Sequence, residues 1–196
     1  GANSFARSIA EKVIPENAIE IKIDIPMTVA REPAQAAYDI GAAAIAEHLL
    51  KGQDVVVLCE GDPFFYGSFM YLFARLSGRF DTEVVPGVTS ITACAAVAGT
   101  PLSARNEVLS IIPGPLPDTE MRARIDMAGS VAIMKVGRHL GRIRALVDDM
   151  GLSARATYVA RASLSDQQVL PLVRAPDPAP YFSMILITKG QDPWLN

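Results

Sequence analysis

At 196 residues the chain is long enough for one α/β domain or two small ones, and with 50% apolar side chains it can bury a real core. A net charge of −3 argues against a general nucleic-acid binder, and two histidines far apart in sequence give no zinc-type spacing. No apolar run approaches the ~20 residues that span a bilayer and no signal peptide is visible, so the sequence reads as a soluble cytoplasmic protein.

The opening, "GANSFARSIAEKVIP", has no methionine and enters a helix-like segment almost at once, as expected of a fragment or a processed chain. In "AIEIKIDIPM" the alternation of Ile19, Ile21, Ile23 and Ile25 predicts a half-buried strand stopped at Pro26. The alanine-rich stretch from Pro33 to Lys51 predicts a helix, with Gly52 just past its end. Val55 to Cys59 is a continuous apolar run that suits a strand covered on both faces. It meets the corner Glu60-Gly61-Asp62-Pro63, where Asp62 suits a helix N-cap and Pro63 a first helical residue. Phe65, Phe69, Leu72, Phe73 and Leu76 then share one helical face up to Gly78.

This corner is a strand-to-helix turn at the carboxyl end of a strand, where open α/β sheets bind ligands. Gly61 lets a ligand approach the backbone closely. The spacing is neither G-x-G-x-x-G nor a phosphate loop, and two carboxylates disfavour a phosphate there, so a cationic or hydroxyl-rich ligand fits better. A well-capped turn without a ligand is the plain alternative. The pattern recurs in "EVVPGVTSITACAAVAG": a short strand, a Pro86-Gly87 turn and a small-residue helix ending at Gly99. Cys59 and Cys94 lie in apolar runs and read as core residues of a reducing compartment. "EVLSIIPG", "SVAIMKVG", "ATYVARAS" and "YFSMILI" complete about seven strands. An amphipathic helix follows Gly137, burying Leu140, Ile143, Val147 and Met150, and "RAPDPAP" is a loop. Strands alternating with helices predict an α/β fold with parallel pairing, and "PLSARNE" marks a boundary between domains 1–106 and 107–196.

The ordered set "EGDPFFYGSF", "EVVPGVTS", "AIMKVGR" and "PYFSMILI" resembles the tetrapyrrole (corrin/porphyrin) methyltransferase family over nearly the whole chain. The resemblance implies the class III methyltransferase architecture: two α/β domains with a cofactor cleft between them, usually as a homodimer. It implies S-adenosylmethionine as methyl donor, a tetrapyrrole substrate, no protein-bound metal, and no nucleic-acid or membrane partner. Carried over by motif, the cofactor contacts are Glu60, Gly61, Asp62 and Phe65 from the first turn, Thr89 and Ser90 from the second, then Met134, Ala162 and Ser183. One departure stands out: the family's opening strand and glycine-rich G-x-G-P-G-D-P loop have no counterpart before Gly1.

The residues agree with that chemistry. S-adenosylmethionine has no phosphate, so a phosphate loop is not needed, and carboxylates accept from its amino group and ribose hydroxyls. Residues 1–100 carry 7 basic and 12 acidic side chains, whereas 101–161 carry 9 basic and 6 acidic. That basic segment suits a macrocycle rimmed by carboxylates, with Arg105, Lys135, Arg138 and Arg161 as candidate substrate contacts, and with His139 and Arg142 nearby. Ordinary surface scatter is the alternative reading of the same charges. No catalytic base identifies itself, and His139 at a helix start reads as a surface or capping residue. Two other classes stay open: a non-catalytic ligand-binding module, and a nucleotide-dependent α/β enzyme, for which phosphate-binding glycines are lacking.

Overall fold

The computed structural model describes residues 4–26 and 32–190, and the chain divides into two compact units, Gly1–Thr89 and Ser90–Asn196.

In the first unit α1 (Phe5–Ala10) begins where the Ser4 hydroxyl oxygen accepts from the Arg7 amide at 3.4 Å. The predicted alanine-rich helix is α2 (Glu32–Leu49). Its residues Tyr38, Ala42, Ile45 and Ala46 recur at helical spacing and pack against Leu72 and Leu76 of α3 (Phe69–Leu76). Gly41 admits the Ile23 side chain, because a Cβ there would lie 2.5 Å from Ile23 Cδ1. Arg75 of α3 ties the two helices by donating to Asp39 at 2.6 Å and Gln35 at 2.7 Å.

Three predicted strands of this unit, over residues 19–25, 55–59 and 83–86, form no ladder among the described residues. The first two keep the alternation of a strand. Ile21, Ile23, Ile25, Val55 and Val57 pack on the α2–α3 cluster, while Val56 is 81% exposed and Leu58 42%. The run 55–59 is thus covered on one face, not on both, because α2 and α3 share a single side. The helix expected to start at Pro63 starts instead at Phe69. Tyr66 has a φ of 53°, outside the helical region, and Gly67 sits so close to the Pro63 carbonyl that a Cβ would lie 2.8 Å from its oxygen. Residues 62–68 therefore form a tight loop. Asp62 caps that loop, not a helix.

The second unit opens with α4 (Ser90–Ala98), ended as expected at Gly99, whose φ is 61°. Then come β1 (Leu109–Pro113), α5 (Asp118–Met127), β2 (Ser130–Met134) and α6 (Leu140–Asp149). β3 (Ala156–Ala160), β4 (Gln168–Pro171) and β5 (Ser183–Thr188) complete it. The five strands form one sheet in the order β1-β2-β5-β3-β4. Only β1 and β2 pair in parallel. β5 runs back between β2 and β3 and pairs antiparallel with both, so the expected parallel sheet is mixed.

Strand residues at period two, Val131, Ile133, Tyr158, Ile185 and Ile187, are buried together with Met121 and Ile125 of α5 and Leu140, Ile143 and Val147 of α6. Each such burial contributes roughly 1.5–3 kcal/mol. α5 and β4 have no counterpart in the sequence reading. α5 has apolar anchors at only Met121 and Ile125, and β4 is mostly exposed, so neither carries a strong period. The boundary expected at 106/107 falls inside this unit, because α4 packs against β3 and β5. No helix among the described residues is long and apolar enough to cross a membrane.

Candidate functional site

The predicted site residues gather at two places, one in each unit. In the first unit, the corner after residue 59 meets the Pro86-Gly87 turn. Gly61 has a φ of 69°, and a Cβ on it would lie 3.2 Å from the Val88 carbonyl oxygen. A Cβ on Gly87 would lie 2.1 Å from the Gly61 oxygen and 2.8 Å from its carbonyl carbon. Backbone thus touches backbone, and both positions need glycine for that approach. Asp62 fastens the contact: one carboxylate oxygen accepts from the Phe64 amide at 2.9 Å, the other from the Gly87 amide at 3.0 Å. Each oxygen keeps a further lone pair for a ligand hydroxyl or ammonium.

Glu60 accepts from the Ala6 amide at 3.1 Å, satisfying one of the orphan donors in the first turn of α1. Its carboxylate is otherwise exposed. Phe65 is half-buried, with its ring 5.1 Å from that of Tyr66 in a T-shaped contact. Thr89, half-buried, and Ser90, exposed at the start of α4, directly follow the second turn. The two carboxylates and the closely packed turns make an acidic, hydrogen-bond-accepting corner that suits a cationic, hydroxyl-bearing ligand.

In the second unit, strand directions bring the carboxyl ends of β1, β2 and β3 to the same sheet edge as the start of β5. Met134 stands opposite Met184, and Ala160 opposite Ser183. Lys135 lies one residue past Met134 and Arg161 one past Ala160, so they flank β5 about two strand spacings apart, roughly 10 Å. Both take left-handed backbone, with φ of 57° and 52°, and Ser163 follows at 67°. Such angles are uncommon for side-chain-bearing residues and cluster at functional sites. Gly114 abuts this corner: its amide donates to the Met134 carbonyl at 2.7 Å, and a Cβ would lie 2.7 Å from the Lys135 oxygen. Ala162 is half-buried beside Arg161. Ser183 is 8% exposed and its hydroxyl donates to the Pro180 carbonyl at 2.6 Å. Met134 is buried in the sheet.

Of the four candidate substrate cations, Lys135, Arg138 and Arg161 fall at or next to this edge, Arg138 exposed in the short 3-10 turn Gly137–His139. Arg161 pairs with Asp166. Arg105 does not join them. It lies in a turn closed by the Glu107 amide on the Ala104 carbonyl at 2.9 Å, just before β1, at the opposite end of the sheet. Arg142 is committed to Asp118 of α5 and to the Gly114 carbonyl, so it braces the edge from behind. Partial burial, then Arg138 and Arg142, hold the His139 imidazole below its ordinary pKa. Among the described residues no group of three or more His, Cys, Asp or Glu could hold a metal.

Two features of these sites were missed in the sequence. Gly87 was read only as a turn residue, although its pairing with Asp62 holds the first corner together; a second P-G after a short strand was the available signal. Tyr181 and Phe182 were read only as part of a strand, yet they stand exposed at the second unit's edge.

A family profile described as Tetrapyrrole (Corrin/Porphyrin) Methylases matches residues 1–175. A precorrin-2 C(20)-methyltransferase from Sinorhizobium sp is 36% identical over 201 residues, covering 98% of this chain and 82% of that protein. A cobalt-precorrin-2 C(20)-methyltransferase from Salmonella typhimurium is 31% identical over 192 residues, covering 96% and 81%. The crystal structure of a uroporphyrin-III C-methyltransferase from Thermus thermophilus, complexed with S-adenosylhomocysteine, superposes with a TM-score of 0.56. It is 22% identical and covers 77% of this chain and 73% of that one, a likeness of fold.

Proposed function

Because the chain belongs to the tetrapyrrole (corrin/porphyrin) methylase family, we propose that it methylates C20 of precorrin-2, with S-adenosylmethionine as donor, to give precorrin-3A in cobalamin biosynthesis. The observation that carries this reading is the 36% identity to a C(20)-methyltransferase over 98% of the chain. The site chemistry supports it: an acidic, glycine-built corner in one unit and a cation-flanked sheet edge in the other.

When bound, the donor supplies a methyl group activated by a positively charged sulfur. The chain's part is to bind, orient and exclude water. Glu60 and Asp62 present carboxylate oxygens to amino and hydroxyl groups, while Gly61, packed against the Val88 carbonyl, holds the two turns together beneath them. Phe65, Thr89 and Ser90 complete the donor contacts of that turn region. Met134, Ala162 and Ser183 supply a buried thioether and small side chains at the second sheet edge, suited to the flat adenine. Lys135, Arg138 and Arg161 meet substrate carboxylates. Positioning within ~3–3.5 Å of an electron-rich carbon supplies up to ~7–11 kcal/mol toward the barrier. The methyl group would pass to C20 with the electron pair of its broken bond left on the departing sulfur, and C20 would then lose a proton. No side chain of this protein is assigned as its acceptor. The protein works as a cytoplasmic homodimer.

The similarity to the cobalt-precorrin-2 enzyme favours a second reading, in which the substrate carries cobalt in its ring. Incubating the protein with donor and either metal-free precorrin-2 or its cobalt complex separates the two. Mass spectrometry showing one added methyl on the metal-free ring supports the first reading. Methylation of the cobalt complex alone selects the second, and methylation of neither defeats both.

A further inference from the structure

The corner before β5 carries aromatic surface that the fold does not need. Tyr181 is 69% exposed and Phe182 43%, with ring centroids 5.1 Å apart in a T-shaped contact. Aromatic surface in water collapses onto neighbouring chain wherever the backbone allows it. Here the backbone is fastened. The Phe182 carbonyl accepts from the Arg161 amide at 2.8 Å, the Tyr181 carbonyl from the Ser183 amide at 3.0 Å, and the Pro180 carbonyl from the Ser183 hydroxyl at 2.6 Å. Upstream, Arg144 donates to the Ala175 carbonyl at 3.0 Å and the Asp177 carboxylate at 3.2 Å, pinning the incoming loop to α6. Two cations flank the corner: Lys135 beyond β2 and Arg161 beyond β3, both on left-handed backbone. The Arg161–Asp166 pair is exposed on both sides, and a surface pair of this kind exchanges readily for another carboxylate.

We propose that Tyr181 and Phe182 form a rigid platform for the apolar face of a polycarboxylate macrocycle, with Lys135 and Arg161 meeting its rim. The platform decides how the substrate ring lies on the second unit. It deepens the methyltransferase reading and rests on it for the identity of the ligand. Charge complementarity selects the occupant: aromatic faces between two cations match a flat ring edged with acids better than they match another copy of an acidic chain.

The test is a fluorescence-quenching titration of the full chain with uroporphyrin III, a stable octacarboxylate ring. Wild type is compared with Tyr181→Ala/Phe182→Ala and with Lys135→Gln. Calorimetry with S-adenosylhomocysteine, circular dichroism and light scattering run on each. The double variant is expected to bind the porphyrin about tenfold more weakly, as loss of a stacking surface implies, with unchanged S-adenosylhomocysteine affinity, fold and mass. Lys135→Gln is expected to weaken porphyrin binding and reduce its salt dependence. Undiminished porphyrin affinity in the double variant, or no porphyrin binding by wild type, overturns the platform and leaves the methyltransferase reading standing. A wild type that binds no S-adenosylhomocysteine defeats that underlying reading instead. A drop in oligomer mass on substitution makes the corner a subunit interface and also overturns the proposal.

Discussion

Replacing Gly87 with alanine tests whether the two turns of the first unit act as one binding corner. The added methyl would sit 2.1 Å from the Gly61 carbonyl oxygen, 2.8 Å from its carbon and 3.3 Å from Asp62 Cα. All three are backbone atoms, so no flexible side chain can swing away and the turns must part. Overpacking of this kind costs ~1–3 kcal/mol. Parting also lengthens the 3.0 Å bond from the Gly87 amide to Asp62. Bonds to a charged group are worth ~1.5–3 kcal/mol when shielded, and exposure here trims that to ~1 kcal/mol. The expected loss is about 2–4 kcal/mol, read by urea denaturation followed by circular dichroism, with at least a tenfold weaker affinity for S-adenosylhomocysteine by calorimetry. Gly52→Ala serves as control. Gly52 has a φ of 74° but open space around its Cβ position, so alanine costs ~1 kcal/mol of backbone strain and leaves affinity unchanged. If Gly87→Ala matches wild type in stability and affinity, the turn-to-turn contact is not the donor corner.

Asp62→Ala removes both acceptor bonds that fasten the corner, and is expected to weaken S-adenosylhomocysteine binding in calorimetry and cost ~2 kcal/mol in denaturation; unchanged affinity removes Asp62 from the site. Tyr158 is fully buried with its hydroxyl beside Ser183, whose proton goes to the Pro180 carbonyl and whose oxygen can still accept. Tyr158→Phe should therefore cost about 1 kcal/mol or less in urea denaturation, and a loss well above that would contradict a single weak contact there. Burial pushes the Cys94 thiol up to about 11, so at pH 8 iodoacetamide should modify the less buried Cys59 first, and equal rates by peptide mass spectrometry would contradict the packing of α4. His139 titrates below the ordinary value in the fold and near it when unfolded. The unfolded chain therefore takes up the proton first, and stability falls as pH drops through ~6.5 toward the folded pKa. NMR should place the midpoint below 6.5 and move it upward in Arg138→Gln, with no movement refuting the charge effect.

The second unit was the more legible in sequence. Its strands Leu109–Pro113, Ser130–Met134, Ala156–Ala160 and Ser183–Thr188 are apolar and bounded by proline, glycine or polar residues, and each formed where predicted. Their directions were not legible, because a buried apolar strand reads alike whether its neighbour is parallel or antiparallel. In the first unit the alternation of Ile21, Ile23 and Ile25 correctly marked an inward face, although Ile19 is exposed, whereas the run 55–59 was read as covered on both faces and is covered on one; ladder formation and burial depend on what lies alongside, which apolar pattern alone does not reveal. The Asp62-Pro63 pair looked like a helix start because Asx turns and helix caps use the same residues. At the second turn Gly87 was visible only as a turn residue, because its approach to the Gly61 backbone depends on how two segments distant in sequence fold together. Arg105 illustrates the limit, since a cation near a strand in sequence can lie at either end of the sheet.

The most direct test of the assigned function is the position of the transferred carbon. The protein is incubated with precorrin-2 and S-adenosylmethionine carrying a ¹³C-labelled methyl, and the product is read by carbon NMR. The account predicts one labelled methyl group bonded to C20 and one equivalent of S-adenosylhomocysteine. Label at any other ring carbon, or none with both substrates bound, would contradict it.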